Sequence, residues 1–336
     1  MANSFEAFEG EKVAIVHDSA SSMPDEYRSG YSGLLEVPFQ INAVHNNQDI
    51  MWYDDPFKSD EEKADFVRHL QAGQVTTSLP SSGHYVDACR EVISKGITEI
   101  AIIPMSNHPK MSGSANSARV AAKELEDEAN VVVYDSKTVS IGQGLLINQA
   151  DVENRAGDFN TAKELINRVG ELSKGLHLAQ AFSDLEHLRK GGRIGLASSM
   201  VGGVFEVIPI ISVNEEGVLR PIVKKRGWKK AHRAIIEHVA EGVASHDPKG
   251  ELGNIAVRLA FVNFESDQIE DLRTMVTERI QSDTDSDDER KSKFKIATDV
   301  NGKNYDIMEF KENMVIAVHS GINVDGFGAL VIPEQS

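Results

Sequence analysis

Short hydroxyl side chains occur at two places along the chain where helices are expected to begin. The first is the segment 76–81, Thr-Thr-Ser-Leu-Pro-Ser, and the second is 112–114, Ser-Gly-Ser, which follows an apolar run. A serine or threonine at a helix start can accept hydrogen bonds from unpaired backbone N–H groups. It can equally donate to a bound carboxylate, which those N–H groups also attract. Both roles, helix cap and carboxylate ligand, stay open for Thr77 and Ser112.

An imidazole stands at the end of another apolar run. The residues 314–319 predict a strand that ends in His319. A histidine beside a serine would suit a serine-dependent hydrolase or acyltransferase, with Ser112 as the nucleophile and His319 as the base. That alternative requires the two side chains to lie within about 3 Å of each other, with a third group that orients the histidine. Ser112 lacks the G-x-S-x-G surroundings of a nucleophile elbow.

Other polar and glycine motifs have simpler interpretations. Asp-Ser pairs follow two apolar runs, at 18–19 and 135–136. Such residues lie at the ligand edge of an open α/β sheet, but we favour helix capping as their role. The glycines at 191–192 and 142–144 are too few for a dinucleotide or phosphate loop. A nucleotide cofactor is therefore not expected. The histidines include no H-E-x-x-H pair, so a metal is not expected either.

The composition is that of a globular protein with 40% hydrophobic and 26% charged residues, and the length of 336 residues suits two domains. A net charge of −17 argues against binding to nucleic acid. It fits either a protein that stays monomeric by self-repulsion or one that meets a basic patch on a partner. The single cysteine, Cys89, excludes an intrachain disulfide. The first residues do not resemble a signal peptide, and no apolar run is long enough to span a bilayer. We expect a cytoplasmic protein, for which transient contact with a membrane surface stays open.

Alternating strand and helix patterns predict a parallel α/β domain over residues 12–175. Continuous apolar runs, typical of strands covered on both faces, occur at 12–17, 99–105 and 130–134. Helices are predicted over 59–73, 82–95 and 113–127, and another follows Asp135.

The pattern changes near residue 175, and residues 176–336 are predicted to form an α+β domain with a mixed or antiparallel sheet. Strands are expected over 177–182, 255–262, 293–297 and 328–332, with a hairpin over 208–224. One helix is expected to place Ala231, Ile235 and Val239 on a single face, and a second is expected over 269–280. The acidic segment 282–292 is predicted to be a solvated loop.

Taken in order, the segments 18–19, 76–81, 112–114, 135–136, 191–194 and 319–321 resemble the DegV family of bacterial lipid carriers. The best understood members of that family are the fatty-acid-binding subunits of fatty-acid kinase. The resemblance implies two domains with a lipid tunnel between them. It also implies a non-catalytic protein without cofactors, which binds a long-chain fatty acid and presents its carboxylate to a separate kinase.

The resemblance implies roles for individual residues as well. The fatty-acid carboxylate would be bound by Thr77, Ser112 and His319. The ligand loops would be supported by Ser78, Gly113, Ser114 and Ser320. Arg193 follows two glycines in an acidic chain, and from this we expect it to be exposed and to contact the kinase or the acyl-phosphate product, with a salt bridge inside its own domain as the alternative. Leu79 stands where the family usually has glutamine, and the segment 322–326 departs from the Gly-Pro-Gly that usually follows the histidine motif.

Overall fold

The computed structural model describes residues 12–23, 33–45, 48–53, 60–72, 75–201, 207–246, 254–262, 264, 274, 293–296, 307–310, 314–320 and 324–333. The strands β1 to β14 are, in chain order, Val13–Asp18, Leu34–Val37, Gln40–His45, Gln48–Tyr53, Val75–Ser78, Glu99–Ile103, Asn130–Val133, Leu176–Phe182, Val207–Val213, Leu219–Arg226, Asn254–Val262, Lys293–Ile296, Ile307–Phe310 and Val324–Pro333. The helices α1 to α8 are Asp60–Gln71, Ser82–Ser94, Ser114–Glu124, Ile141–Arg155, Ala162–Leu172, Glu186–Lys190, Trp228–His246 and Met314–Ser320. The helix predicted over 269–280, apart from residue 274, and the acidic segment 282–292 lie outside the described residues.

The N-terminal part contains a parallel sheet with the strand order β2-β1-β6-β7, as its apolar runs predict. Every residue of β1 is buried. Side chains alternate between the two faces of a strand. Accordingly, Val13 and Ile15 pack in one core with α4 and α5, while Ala14 and Val16 pack in another with α2 and α3. The sheet is therefore covered by helices on both faces.

A small antiparallel sheet, which the sequence patterns did not predict, places the first hydroxyl segment. Its strand order is β4-β3-β5. The register sets Thr77 of β5 opposite Ile41 of β3. Along β5 half-buried and exposed side chains alternate, and Thr77 is one of the half-buried ones. Thr77 is thus held on a strand rather than in a helix cap.

The C-terminal part contains a mixed sheet with the order β10-β9-β8-β14-β11-β12, and β13 also pairs with β11. The hairpin of β9 and β10 is antiparallel, as predicted, whereas β12 and β13 are parallel to β11. Helix α7 covers one face with Ala231, Ile235 and Val239, the three residues that its sequence placed on one side. The α+β class is confirmed.

Helix α4 lies between the two larger sheets. One core joins Val13 of the parallel sheet to Leu330 of the mixed sheet through Leu145 of α4. Nearly every residue of this helix is buried, because apolar neighbours lie on both sides of it. The two sheets therefore share a core, and the division of the chain into 12–175 and 176–336 stays a proposal.

The predicted strand over 314–319 is wrong, because these residues form helix α8. Met314, Ala317 and Val318 are buried in one cluster with residues of the small sheet and of α1. Their spacing of three and four residues is that of one helical face. A short apolar run cannot be assigned to strand or helix by periodicity alone, and packing against the small sheet selects the helix here.

Candidate functional site

A cavity of about 670 Å³ lies where the loops after the parallel strands meet the small sheet, the mixed sheet and α8. Much of its lining is apolar: Ala20, Phe39, Leu79, Met105, Pro109, Met111, Val139, Phe182, Leu188, Leu219 and Ile316. The remaining lining residues are polar or glycine: Thr77, Ser78, Asn107, Ser112, Gly113, Asn116, Ser140, Gln180, Arg193, His319 and Ser320. Seven of the eight residues singled out by the sequence line this one cavity, although they come from distant segments.

Thr77 and His319 meet at the cavity wall. Thr77 Oγ1 and His319 Nε2 share a hydrogen bond of 2.9 Å between β5 and α8. Burial, followed by the charges of Arg193 and His187, lowers the pKa of His319 to about 4. The imidazole is therefore neutral near pH 7. Its Nδ1 atom is buried and has no hydrogen-bond partner among the described residues.

Gly191 explains how the imidazole fits there. A Cβ atom on Gly191 would lie 2.5 Å from His319 Nδ1. The backbone of Gly191, with φ −72° and ψ −10°, is ordinary helical geometry. The glycine is therefore needed for the close approach of the histidine and not for its own backbone. In the sequence this glycine pair was one of the family motifs and was too short for a phosphate loop, and no local pattern connects it with residue 319.

Ser112 lies just before α3, and its hydroxyl oxygen accepts a hydrogen bond of 3.1 Å from the backbone N–H of Ser114. The hydroxyl hydrogen of Ser112 is left to donate elsewhere, and Ser112 lines the cavity. Ser114 does not line it. Its hydroxyl donates to the Asp18 carboxylate at 2.6 Å, so Ser114 supports the loop from behind.

Asp18 was expected to cap a helix, and that expectation is wrong: its side chain makes no capping bond. The carboxylate is fully buried and also accepts from Gln143 Nε2 and from the backbone N–H of Met105, both at 3.0 Å. Burial raises the pKa of Asp18, and the hydrogen bonds from Ser114, Gln143 and Met105 oppose that rise. The carboxylate ties the ends of β1 and β6 to the starts of α3 and α4.

Three further hydroxyl residues of these motifs make hydrogen bonds within the protein. Ser81 caps α2, where its hydroxyl accepts from the backbone N–H of His84 at 3.3 Å. Ser78 Oγ accepts from Asn42 Nδ2 at 3.2 Å within the small sheet. Ser320 donates to the backbone carbonyl of Ile316 at 2.9 Å inside α8. Of these three residues, Ser81 alone caps a helix, and it does not line the cavity.

Arg193 was expected to be exposed, and this is wrong, because the side chain is half-buried and lines the cavity. Its guanidinium donates to the backbone carbonyl of Met111 at 3.3 Å and to that of Gly191. Burial lowers the pKa of Arg193, yet a guanidinium keeps its charge in proteins. No carboxylate pairs with it in the part of the chain that the structure describes. The cation is available to an anion in the cavity.

The comparison with known families decides what kind of protein this is. The chain matches the family model described as "Uncharacterised protein, DegV family" over residues 12–331. The chain belongs to the DegV family. A DegV domain-containing protein of Caldanaerobacter subterraneus subsp. tengcongensis is 33% identical over 230 residues, which are 68% of this chain and 77% of the relative.

Solved DegV structures share the fold over nearly the whole chain. A DegV family protein from Thermus thermophilus, described for its fatty-acid binding, has a TM-score of 0.71 at 22% identity and covers 96% of this chain and 100% of its own. The Fatty Acid Kinase (Fak) B3 protein of Streptococcus pneumoniae, loaded with linoleic acid, has a TM-score of 0.65 at 18% identity and covers 96% and 100%. The mixed α/β architecture, with a parallel sheet and antiparallel pairing, is therefore that of DegV proteins.

The arrangement required for a serine nucleophile is not formed at this DegV site. His319 Nε2 is bonded to Thr77, and Ser112 makes no hydrogen bond to the imidazole. Nδ1 has no orienting carboxylate among the described residues, whereas a triad histidine needs one. Within the same residues, no group of three potential metal ligands occurs. No described helix is long and apolar enough to cross a membrane.

The neutral state of His319 makes stability depend on pH. An unfolded histidine takes up a proton near pH 6.5, whereas folded His319 does so only near pH 4. The contribution of His319 to the free energy of unfolding of the lipid-free protein should therefore be fully present above pH 6.5. It should be lost as the pH is lowered towards 4. His319→Asn should reduce the slope of the unfolding free energy against pH by at most the amount that corresponds to the uptake of one proton. Urea titrations between pH 6.5 and 5 measure this slope.

His177 provides the comparison, because burial, followed by the charges of His246 and His238, also lowers its pKa to about 4. His177 does not line the cavity. His177→Asn should flatten the same profile without changing ligand affinity. A profile of His319→Asn with the wild-type slope would contradict the neutral, buried imidazole.

Proposed function

We propose that this DegV protein binds a long-chain fatty acid in the cavity and presents the carboxylate to a partner fatty-acid kinase. The observation that carries the proposal is the Thr77–His319 hydrogen bond at the wall of a largely apolar cavity, beside a cation with no ion-pair partner among the described residues. A molecule with an anionic head and an apolar tail matches that combination.

The head-group contacts follow from the hydrogen bonds already made. If His319 Nε2–H donates to Thr77 Oγ1, no N–H of the imidazole is left buried without an acceptor, and the threonine hydroxyl can donate to the carboxylate. Ser112 supplies a second hydroxyl, because its oxygen already accepts from Ser114. Arg193 supplies positive charge. Hydrogen bonds to a charged acceptor contribute about 1.5–3 kcal/mol each.

The tail supplies most of the affinity in this proposal. A chain of about 16 carbons offers on the order of 10 kcal/mol when it is buried, at about 0.8 kcal/mol per CH₂. Part of that energy offsets the ordering of the chain and the loss of free motion on binding. The polar contacts therefore need only to orient the carboxylate, and a non-catalytic carrier requires nothing more of them.

Presentation to a kinase is supported by the likeness to the pneumococcal Fatty Acid Kinase B3 protein. We propose that Arg193 stays close to the carboxylate when the kinase transfers phosphate to it. The test is acyl-phosphate formation when the loaded protein is mixed with ATP and a fatty-acid kinase. Loaded protein that supports no transfer with any such kinase would remove the kinase part of the proposal and leave lipid binding intact.

Ser112→Ala tests the head-group site directly. Loss of one hydrogen bond to the carboxylate should weaken fatty-acid binding by about 10-fold to 100-fold, the equivalent of about 1.5–3 kcal/mol. The measurement is displacement of a fluorescent fatty acid by oleate from protein stripped of lipid, after mass spectrometry of an organic extract has identified what the purified protein carries.

Ser81→Ala is the matched control, because Ser81 caps α2 outside the cavity. It should lower the free energy of unfolding by about 1 kcal/mol and leave oleate affinity unchanged. Equal affinities of wild type and Ser112→Ala would show that the carboxylate lies elsewhere. An extract without lipid, together with no uptake of oleate or palmitate, would overturn fatty-acid binding itself.

A further inference from the structure

Gln180 is a polar residue of the cavity lining that is not among the residues assigned to the head group. Gln180 is on β8, where it pairs with Ile211 of β9 and Gly326 of β14. It is 7% exposed and lines the cavity. Phe182, two positions along the same strand, belongs to the apolar lining. The segment Leu-Ala-Gln-Ala-Phe is otherwise an ordinary buried strand.

The Gln180 amide makes no hydrogen bond to any residue that the structure describes. An amide that a ligand covers without giving it a partner is unfavourable by about the strength of the lost bond, and most buried polar groups in proteins are paired. Gly326 provides the room that the side chain occupies: a Cβ atom there would lie 3.0 Å from Gln180 Cγ and 3.2 Å from Nε2. The amide thus lies across a glycine of β14, with donors and an acceptor free.

A hydroxyl with an unusual backbone lines the same cavity. Ser140, just before α4, has φ 55° and ψ −134°, a conformation that residues with a side chain rarely adopt. It is held there by the hydrogen bond of its N–H to the Ala20 carbonyl at 2.8 Å. Its hydroxyl shares a bond of 3.3 Å with that of Ser22 and has further capacity. Strain of this kind is found mostly where a ligand is held.

We propose that the preferred ligand is a hydroxylated fatty acid, whose chain hydroxyl is bound by the Gln180 amide. A hydroxyl both donates and accepts, as the primary amide does, so the two groups satisfy each other in a setting where water is scarce. Ser140 offers a second polar contact on the cavity wall. The inference rests on the proposed function, because it assumes that a fatty acid occupies the cavity.

The test compares stearate with a series of hydroxystearates that differ only in the position of the hydroxyl. Lipid-stripped wild type should bind at least one positional isomer about tenfold more tightly than stearate, the effect of one buried neutral hydrogen bond. Gln180→Met, which keeps the length of the side chain, should abolish that preference and bind stearate at least as tightly as wild type does. Displacement of a fluorescent fatty acid gives both affinities.

Met111→Leu is the control, because it changes an apolar lining residue and should leave the ratio of the two affinities unchanged. The inference is overturned if every hydroxystearate binds wild type no better than stearate, or if Gln180→Met keeps the preference. In either case stearate binding would still support the proposed function, whereas failure of all these acids to bind would remove that function. If Gln180→Met does not fold, the wild-type ratios decide alone.

Discussion

Gly191→Ala should weaken fatty-acid binding about 100-fold while leaving the protein folded. The added methyl group would lie 2.5 Å from His319 Nδ1, so the imidazole must move. That movement breaks the 2.9 Å bond between His319 and Thr77, and both residues then lose their place at the proposed carboxylate site. About 3 kcal/mol is expected, the upper end for a hydrogen bond to a charged group. Oleate titration of lipid-stripped protein measures the effect.

The effect of Gly191→Ala should disappear when His319 is already alanine, because the methyl group then meets no ring. This double-mutant cycle separates positioning of the histidine from general damage. Gly83→Ala is the matched control: a Cβ atom there meets only Ser81 Oγ, at 3.6 Å, and alanine favours the helix. Gly191→Ala with wild-type affinity, or with an equal loss in the His319→Ala background, would contradict the positioning role.

The parallel sheet was predictable because its strands are buried on both faces. In β1, Val13 and Ala14 pack on opposite sides of the sheet, so the strand appears in the sequence as a continuous apolar run. The stripe of Ala231, Ile235 and Val239 identified α7 for a similar reason, since one face of a helix has a fixed spacing. Elements whose burial follows from their own sequence were predicted correctly.

The small sheet and α8 were not predictable because each depends on the other. Strand β3 contains Gln40 and Asn42 among its apolar residues, so no clear pattern marks it. Helix α8 is short, and its apolar face is buried because Ile41 of β3 and residues of α1 cover it. The contact that places His319 against Thr77 arises from this mutual packing. Sequence patterns identified both residues, and only the fold brings them together.

The supporting residues of the site were the least visible in the sequence. Gly191 makes room for His319, and Gln180 lies against Gly326, so both depend on neighbours from distant segments. Asp18 resembled a helix cap, because a carboxylate after a strand usually has that role. Its function is set by donors that approach from α3, α4 and the end of β6. Such convergence depends on tertiary structure, which local periodicity does not describe.

Asp18→Ala should have the largest effect on stability, about 3–5 kcal/mol in urea unfolding. The substitution leaves the hydroxyl of Ser114, the amide of Gln143 and the N–H of Met105 pointing at an empty, buried place. A buried donor without a partner costs about 1–3 kcal/mol, and some of this is relieved by rearrangement. Because the backbone N–H of Ser114 donates to the hydroxyl oxygen of Ser112, the remaining folded protein should bind oleate more weakly.

Asp135→Ala is the natural comparison, since Asp135 follows β7 of the same parallel sheet and was expected to have the same role as Asp18. Its carboxylate is only half-buried and accepts from the backbone N–H groups of Asn107 and Lys137, at 3.1 and 3.0 Å. These N–H groups can form hydrogen bonds with water instead. The free energy of unfolding should therefore fall by about 1 kcal/mol, with no change in oleate affinity. Equal losses in the two variants would mean that Asp18 is a loop residue like Asp135. A much larger loss for Asp18→Ala, accompanied by weaker oleate binding, would show that the buried carboxylate joins the stability of the parallel sheet to the position of Ser112.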